Sequence, residues 1–443
     1  MAVQVRTKGA YSVGAALPSL GAWLVVFTFV AAQFVEFTLF EIGDFDVSFQ
    51  KVGGLICFPI AFVLMGHVRI SVPLILLGVA LITANSAAYI VRSDFFSPKL
   101  LSANLTVLAG FVGATMLYTA LVQSGESFSL LGRMWVGFAV VTSIFVCLQA
   151  AGVLPLWAVS GGDLEARVAE GGEVYRGTGL KFDPNYQALV LVLGIIFAQF
   201  YLNKFRTLMV LLILLGVLAT FSRMGLLVAA LIWIVASLVR GFLNRREKGA
   251  RLLKLLGVAL GLTFIAAAVY VWAPQEAQLY LGERLGEVAG AYRSFTAGGV
   301  GIPSSGLNSA ETRILLFEAS WKVLAQHYVW GVGAYSIPAQ IYYFTGLEQT
   351  VHNTYLEALL TGGIWGGFVI ALYLILLLRV LIGGRPTEED KDRKGFILTL
   401  LLAFGLMALF LDLNHNSILW LPLVVALAYS RLSKTSSIYP PIG

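Results

Sequence analysis

Of the 443 residues, 58% are hydrophobic and only 12% charged, about half the ~25% charged fraction of an ordinary soluble domain. That balance excludes a typical cytosolic enzyme. The formal charge of +6 comes from 30 basic and 24 acidic residues, most of them between long apolar runs, so it reports topology and anionic lipid rather than nucleic-acid binding.

Taken in chain order, the basic start MAVQVRTKGA is followed by an apolar stretch without a small-residue cleavage pattern, which predicts an uncleaved first helix rather than a signal peptide. Apolar runs near the length a bilayer requires, about 20 residues, predict helices near 17–38, 50–66, 70–90, 100–122, 131–153, 186–202, 206–221, 224–240, 254–273, 362–383, 396–411 and 416–430. The fold class is therefore all-α, a polytopic transmembrane bundle of about twelve spans with one long, partly helical exterior loop. Several spans fall short of 20 residues, so flanking polar residues lie in the headgroup layer or the helices are broken. Cys57 and Cys147 sit inside apolar runs and read as core thiols rather than a disulfide or metal pair.

Charge sets the sidedness. With the N-terminus inside, the cytoplasmic segments hold 19 basic and 6 acidic residues, against 11 and 18 on the other face, and basic residues favour the cytoplasmic side. Both termini are expected to be cytoplasmic. The chain then divides into helices over 1–273 with a moderate exterior loop at 154–185, a long exterior loop over 274–361, and the last helices and cytoplasmic tail over 362–443. Eighty-eight residues are enough to carry a site, whereas the cytoplasmic connections are short or plainly charged. Within the long loop, RILLFEASWKVLAQHYVW at 313–330 places Ile314, Phe317, Trp321 and Leu324 at helical spacing, an amphipathic helix ended by the glycines of GVG.

Few residues in this chain can carry chemistry. Arg223, in SRMG between two apolar runs, reads either as a snorkelling anchor or as an anion clamp whose guanidinium matches phosphate oxygens. Arg313 opens the loop helix and Arg284 and Arg293 precede it; nearby glutamates make ordinary surface ion pairs the first reading, and a binding role would need convergence on Arg223. His352, in VHNTYLEALLTGG at the predicted exterior boundary, is either a helix-terminal hydrogen-bonding residue or a general base, since imidazole takes up a proton near neutrality. Asn353 or Tyr355 could orient it or hold a sugar, while His327 and His415 are weaker candidates and His67, in the short cytoplasmic turn GHVR, reads as an interfacial residue. There is no HExxH, CxxC pair, Walker motif or Rossmann fingerprint; no metal and no cofactor are expected.

Four segments together resemble the membrane-embedded O-antigen ligase and polymerase superfamily: RGTGLKFDPNYQALV at 176–190, TFSRMGLLVAAL at 220–231, RILLFEASWKVLAQHYVWGVG at 313–333 and HNTYLEALLTGGIWG at 352–366. In outline the chain is closest to the O-antigen ligase. The resemblance implies a glycosyltransferase of the bacterial inner membrane. Its donor would be a glycan on undecaprenyl diphosphate and its acceptor the lipid A–core oligosaccharide, with transfer on the periplasmic side. It aligns Arg223 and Arg313 with diphosphate-binding arginines and His352 with the catalytic histidine, with Arg176 a further substrate-binding candidate. One departure is Tyr328, where related chains carry proline after the histidine, which weighs against a role for His327.

The chemistry suits these residues. A diphosphate leaving group gains negative charge as the sugar–phosphate bond breaks, and arginines can stabilise it in place of a metal. His352 would deprotonate the acceptor hydroxyl as it attacks the anomeric carbon from the opposite face, giving inversion. A polymerase, a protein O-oligosaccharyltransferase and a lipid-linked glycan transporter are the alternatives.

Overall fold

The computed structural model describes residues 19–35, 38–42, 45–94, 97–124, 126–154, 168–169, 172–173, 177–181, 183–243, 309–382, 388–414 and 416–436. The chain is a polytopic, predominantly α-helical membrane protein. Among the described residues, five helices are long and apolar enough to cross a bilayer: Val72–Val91, Pro98–Gln123, Glu126–Ala150, Pro184–Tyr201 and Arg223–Arg240. Shorter apolar helices run over Leu20–Phe34, Ile56–Met65, Arg206–Ala219, Ile364–Arg379, Lys394–Ala408 and Ser417–Leu432. The expected span at 254–273 lies outside the described residues, as do Arg176, Arg284, Arg293 and His415.

The bundle is held by close packing around Trp135, which is fully buried. Its ring stacks on Phe197 at 5.1 Å and meets Phe34 edge-on at 5.6 Å, and its Nε1 donates to the Val190 carbonyl at 3.0 Å. One side chain thus joins the Leu20–Phe34, Glu126–Ala150 and Pro184–Tyr201 helices. Small residues let the backbones approach: a Cβ at Gly216 would meet Ser143 Oγ at 2.3 Å, and one at Gly194 would meet the Ala139 Cβ at 2.6 Å. In lipid, where apolar surface gains nothing from leaving the solvent, such contact is the main source of helix association.

Hydrogen bonds group the turns into two layers, one at each end of the bundle. At one end Ser19 Oγ reaches Gln123 Oε1 at 3.5 Å, Thr119 Oγ1 accepts from Arg69 N at 3.0 Å, and Arg240 donates to the Gln199 carbonyl. At the other, Gln33 Nε2 donates to Ser417 Oγ at 3.0 Å and Tyr89 Oη to the Ala334 carbonyl at 2.6 Å. The candidates Arg223 and His352 belong to the second end, as does the start of the Pro184–Tyr201 helix.

Three local features depart from the sequence reading. First, the fold includes two small antiparallel hairpins: Thr38–Ile42 pairs with Phe45–Ser48, and Val168–Ala169 with Gly172–Glu173. FDVS alternates apolar with polar residues at period two, and TLFEI does so from Phe40 to Ile42 after a register irregularity; a search for long apolar runs passes over segments this short. Second, the loop helix spans Ser309–His327 and buries Leu316, Ala319 and Val323, while Phe317 and Trp321 stay half exposed in edge contact at 6.0 Å. Third, two further helices follow, Ile337–Thr345 and Thr354–Gly362. The three share a small apolar core of Leu316, Ala319, Val323, Val332, Ile337, Ile341, Val351, Leu356 and Leu360, separate from that of the bundle.

The glycines of GVG stop the loop helix and also cap another. Val332 N donates to the Leu360 carbonyl at 2.7 Å and Gly333 N to the Thr361 carbonyl at 3.0 Å, satisfying acceptors that a helix end leaves open. Gly331 has φ +69° and a Cβ there would lie 2.3 Å from the Thr361 oxygen. Only glycine fits such an approach.

Candidate active site

Arg223 is placed by a tight turn. Thr220 Oγ1 donates to the Val217 carbonyl at 2.6 Å and accepts from Ser222 N at 3.2 Å. Phe221 then takes φ +51°, a left-handed conformation that is rare for a bulky residue and persists only where its surroundings enforce it. Ser222 Oγ accepts from Gly225 N at 3.2 Å, capping the helix, and donates to Asn185 Oδ1 at 2.8 Å. Arg223 is therefore the first residue of the Arg223–Leu243 helix, where the backbone dipole adds to its own positive charge. An anion is favoured by both.

Asn185 belongs to a second helix start. Asp183 Oδ1 accepts from Asn185 N at 2.6 Å and Pro184 opens the Pro184–Tyr201 helix, a position where its missing N–H costs nothing. The preceding segment is also fixed. Gln149, almost fully buried, accepts from Thr178 N at 3.1 Å and Gly179 N at 2.7 Å and donates to the Gly179 carbonyl at 3.0 Å. Gly177 N donates to the Ala219 carbonyl at 3.1 Å, which ties this strap to the turn bearing Arg223.

The third helix start follows His352. Asn353 Oδ1 caps Thr354–Gly362 by accepting from Tyr355 N and Leu356 N, both at 3.0 Å. Asn353 thus has a structural task, with its oxygen engaged by the backbone. Tyr355 turns into the bundle, donating to the Gly405 carbonyl at 3.3 Å and lining a cavity of about 250 Å³ with Tyr373, Phe404 and Leu419. His352 stands just outside the cap, and its side chain is exposed.

Thr354 joins this helix to the DLN turn that follows Leu411. Its Oγ1 donates to the Leu411 carbonyl at 2.6 Å and accepts from Leu413 N at 3.0 Å, and its carbonyl accepts from Asn414 Nδ2 at 2.9 Å. Tyr186, next to Asn185, donates its hydroxyl to the Asp412 carbonyl. The chain of contacts is continuous: Ser222 to Asn185, Tyr186 to Asp412, and the turn around Asp412 to Thr354. Three helix starts and one turn, distant in sequence, form one assembly.

Arg313 is exposed on the loop helix, whose inner face packs over the His352 region through Leu316, Val351, Leu356 and Leu360. His327 sits at the end of the same helix, where burial and the nearby Arg92 guanidinium hold its pKa below the ordinary histidine value. Arg92 donates to the Val332 carbonyl at 3.4 Å, another cation at this end.

Two residues were missed by sequence reasoning. Among the described residues the buried charged side chains are Lys181 and Glu357, each 5% exposed, and ionisable groups are rarely buried without a partner. Lys181 lies inside the RGTGLKFDPNY segment, and Glu357 is the lone acid of the apolar run YLEALL. Those contexts were the available signal. Burial, and then the neighbouring Asp412 carboxylate, push the Glu357 carboxyl well above the usual carboxylate range.

Among known proteins, the family model described as O-antigen ligase matches residues 208–371. No curated protein matches the chain. The matched stretch takes in Arg223, Arg313 and His352 but neither Asn185 nor Asp412, which the hydrogen bonds bring to them. The match supports a membrane-associated, glycan-handling enzyme, and with the apolar helices it supports a multi-pass protein of the inner membrane. The chain is a polytopic membrane protein whose residues 208–371 match the family model described as O-antigen ligase.

Proposed function

We propose that the protein is an O-antigen ligase that transfers a glycan from undecaprenyl diphosphate to lipid A–core oligosaccharide, without a metal and with inversion. One observation carries this reading: the segments bearing Arg223, Asn185 and His352 are tied by hydrogen bonds into one end of the bundle, under a docked loop helix that bears Arg313. Arg223 at a helix N-terminus suits a diphosphate, both as an anion to be bound and as a leaving group whose charge grows. Arg313 is assigned to the same diphosphate, and Arg176, Arg284 and Arg293 to further contacts with substrate. His352, exposed beside a fixed helix cap, takes the acceptor hydroxyl proton as that oxygen attacks the anomeric carbon. The bond to diphosphate breaks in the same displacement.

The excess of basic residues on one side assigns both termini to the cytoplasm and this end of the bundle to the periplasm. The long loop over 274–361 is then periplasmic. Exposed Trp321, Tyr328, Trp330, Tyr342 and Tyr343 on the loop elements have the composition of a membrane–water interface. A lipid-linked donor and a lipid-anchored acceptor both present their reacting groups at that depth.

The test is reconstitution of purified protein with a defined lipid-linked glycan, with and without lipid A–core. Transfer that depends on lipid A–core supports the ligase. Lengthening of the lipid-linked glycan in its absence identifies a polymerase instead, and movement of the glycan without a new glycosidic bond identifies a transporter.

A further inference from the structure

Glu357 lies one turn inside the Thr354–Gly362 helix, 5% exposed, and its Oε2 has no hydrogen-bond partner among the described residues. Across the junction, the bonds of Thr354 to Leu411 and Leu413 bring the 411–414 turn, and with it Asp412, beside this helix start. Asp412 is already engaged on two sides: Oδ1 accepts from Asn414 N at 3.0 Å, and its main-chain carbonyl accepts from Tyr186. Two ionised carboxylates do not persist in such a contact, because like charge and lost solvation both act against the second ionisation. A hydrogen bond between them requires one proton, and the more buried member is the one whose ionisation costs more. Asp412 is half-buried and already accepts from a backbone N–H.

We propose that Glu357 is a positioning residue of the ligase centre, its protonated carboxyl donating a hydrogen bond to the Asp412 carboxylate and so holding the helix start beside His352 against the 411–414 turn. This contact adds to the bonds made by Thr354, one turn earlier, to Leu411 and Leu413. Through Tyr186 the same turn is fixed to the Pro184–Tyr201 helix, and through Asn185 to Ser222 beside Arg223. Glu357 therefore acts on the distance between the histidine and the arginine without touching substrate.

The activity arm of the test rests on the proposed ligase function; a spectroscopic arm does not. Purified full-length protein in nanodiscs is examined by infrared spectroscopy. The carbonyl band of a protonated, deuterium-sensitive carboxylic acid is expected in the parent and lost in Glu357→Gln. In lipid-linked glycan transfer, Glu357→Gln, whose amide can still donate to Asp412, should retain most of the parent kcat. Glu357→Ala should lower kcat about tenfold or more with donor KM little changed, as loss of one buried hydrogen bond to a charged group allows. Should the alanine variant fail to fold, Glu357→Asp, too short to reach Asp412, takes its place with the same expected loss. A parent spectrum without the band, its survival in Glu357→Gln, or a folded glutamine variant as inactive as alanine overturns the proposal. If the parent transfers no glycan to any acceptor, the ligase reading fails and the infrared band alone decides the carboxyl pair.

Discussion

Ser222 Oγ donates to Asn185 Oδ1 across 2.8 Å. The residue before Arg223 is thereby fixed to the first turn of the Pro184–Tyr201 helix, and the same oxygen caps the helix that Arg223 begins by accepting from Gly225 N. Arg223 is long and flexible, but the backbone it starts from is held from two directions.

Ser222→Ala removes both bonds and should destabilise the protein by about 1 kcal/mol, the usual worth of a helix N-cap. Ser222→Thr keeps the hydroxyl and should recover most of the loss. Thermal unfolding of detergent-purified variants measures the effect. An alanine variant with the parent's melting temperature would show that the junction is held without this hydroxyl.

Arg223→Ala and Arg313→Ala should each lower transfer about 100-fold at limiting donor, since one electrostatic donor to developing charge is worth about 3 kcal/mol. Lysine should recover only part, because it keeps the charge and loses the guanidinium fork. Membrane insertion should be unchanged, as Arg313 is exposed. The measurement is single-turnover transfer with purified protein; parent-like rates in both alanine variants would remove the arginines from the mechanism.

His352→Ala should reduce turnover by about 100-fold or more, within the usual contribution of general acid–base catalysis, while donor binding persists. His352→Gln can hydrogen-bond but cannot carry the proton, and should remain as poor as alanine. Donor affinity and kcat measured separately distinguish this from a binding role. A glutamine variant near the parent rate would leave His352 as an orienting residue only.

The topology is open to cysteine labelling. Cys57 and Cys147, both half-buried, are first replaced by serine. Tyr343, 86% exposed, is then changed to cysteine in one variant and Asp390 in another. A membrane-impermeant reagent added from the periplasmic side should label position 343 and spare position 390. The reverse pattern would invert the whole arrangement.

Much of this architecture was legible from apolar run length. The helices over Val72–Val91, Pro98–Gln123 and Pro184–Tyr201 begin and end within a few residues of the apolar runs that predict them, because a bilayer demands an uninterrupted stretch of hydrogen-bonded, apolar backbone. The loop helix was legible as a helix but not in its facing. Phe317 and Trp321, its largest apolar side chains, remain on the outer side while Leu316, Ala319 and Val323 pack inward. Near a membrane, apolar does not mean inward, so amphipathic spacing alone does not identify the buried face.

The sequence by itself determined that the protein spans a membrane many times and which residue types were available for chemistry, since both follow from local composition and from the small set of side chains able to bind phosphate or carry a proton. Only the tertiary structure decided which of them share a site. Asn185, Ser222, Thr354 and Asp412 belong to four separate stretches, and the hydrogen bonds that unite their segments join residues 37, 226 and 57 positions apart. Glu357 shows the same division: as a letter in YLEALL it is an ordinary helical acid, and it becomes exceptional only where the fold buries it against Asp412. The reason is physical: run length is set by each segment's own contact with lipid, whereas solvation and neighbouring charge depend on what the rest of the chain brings near.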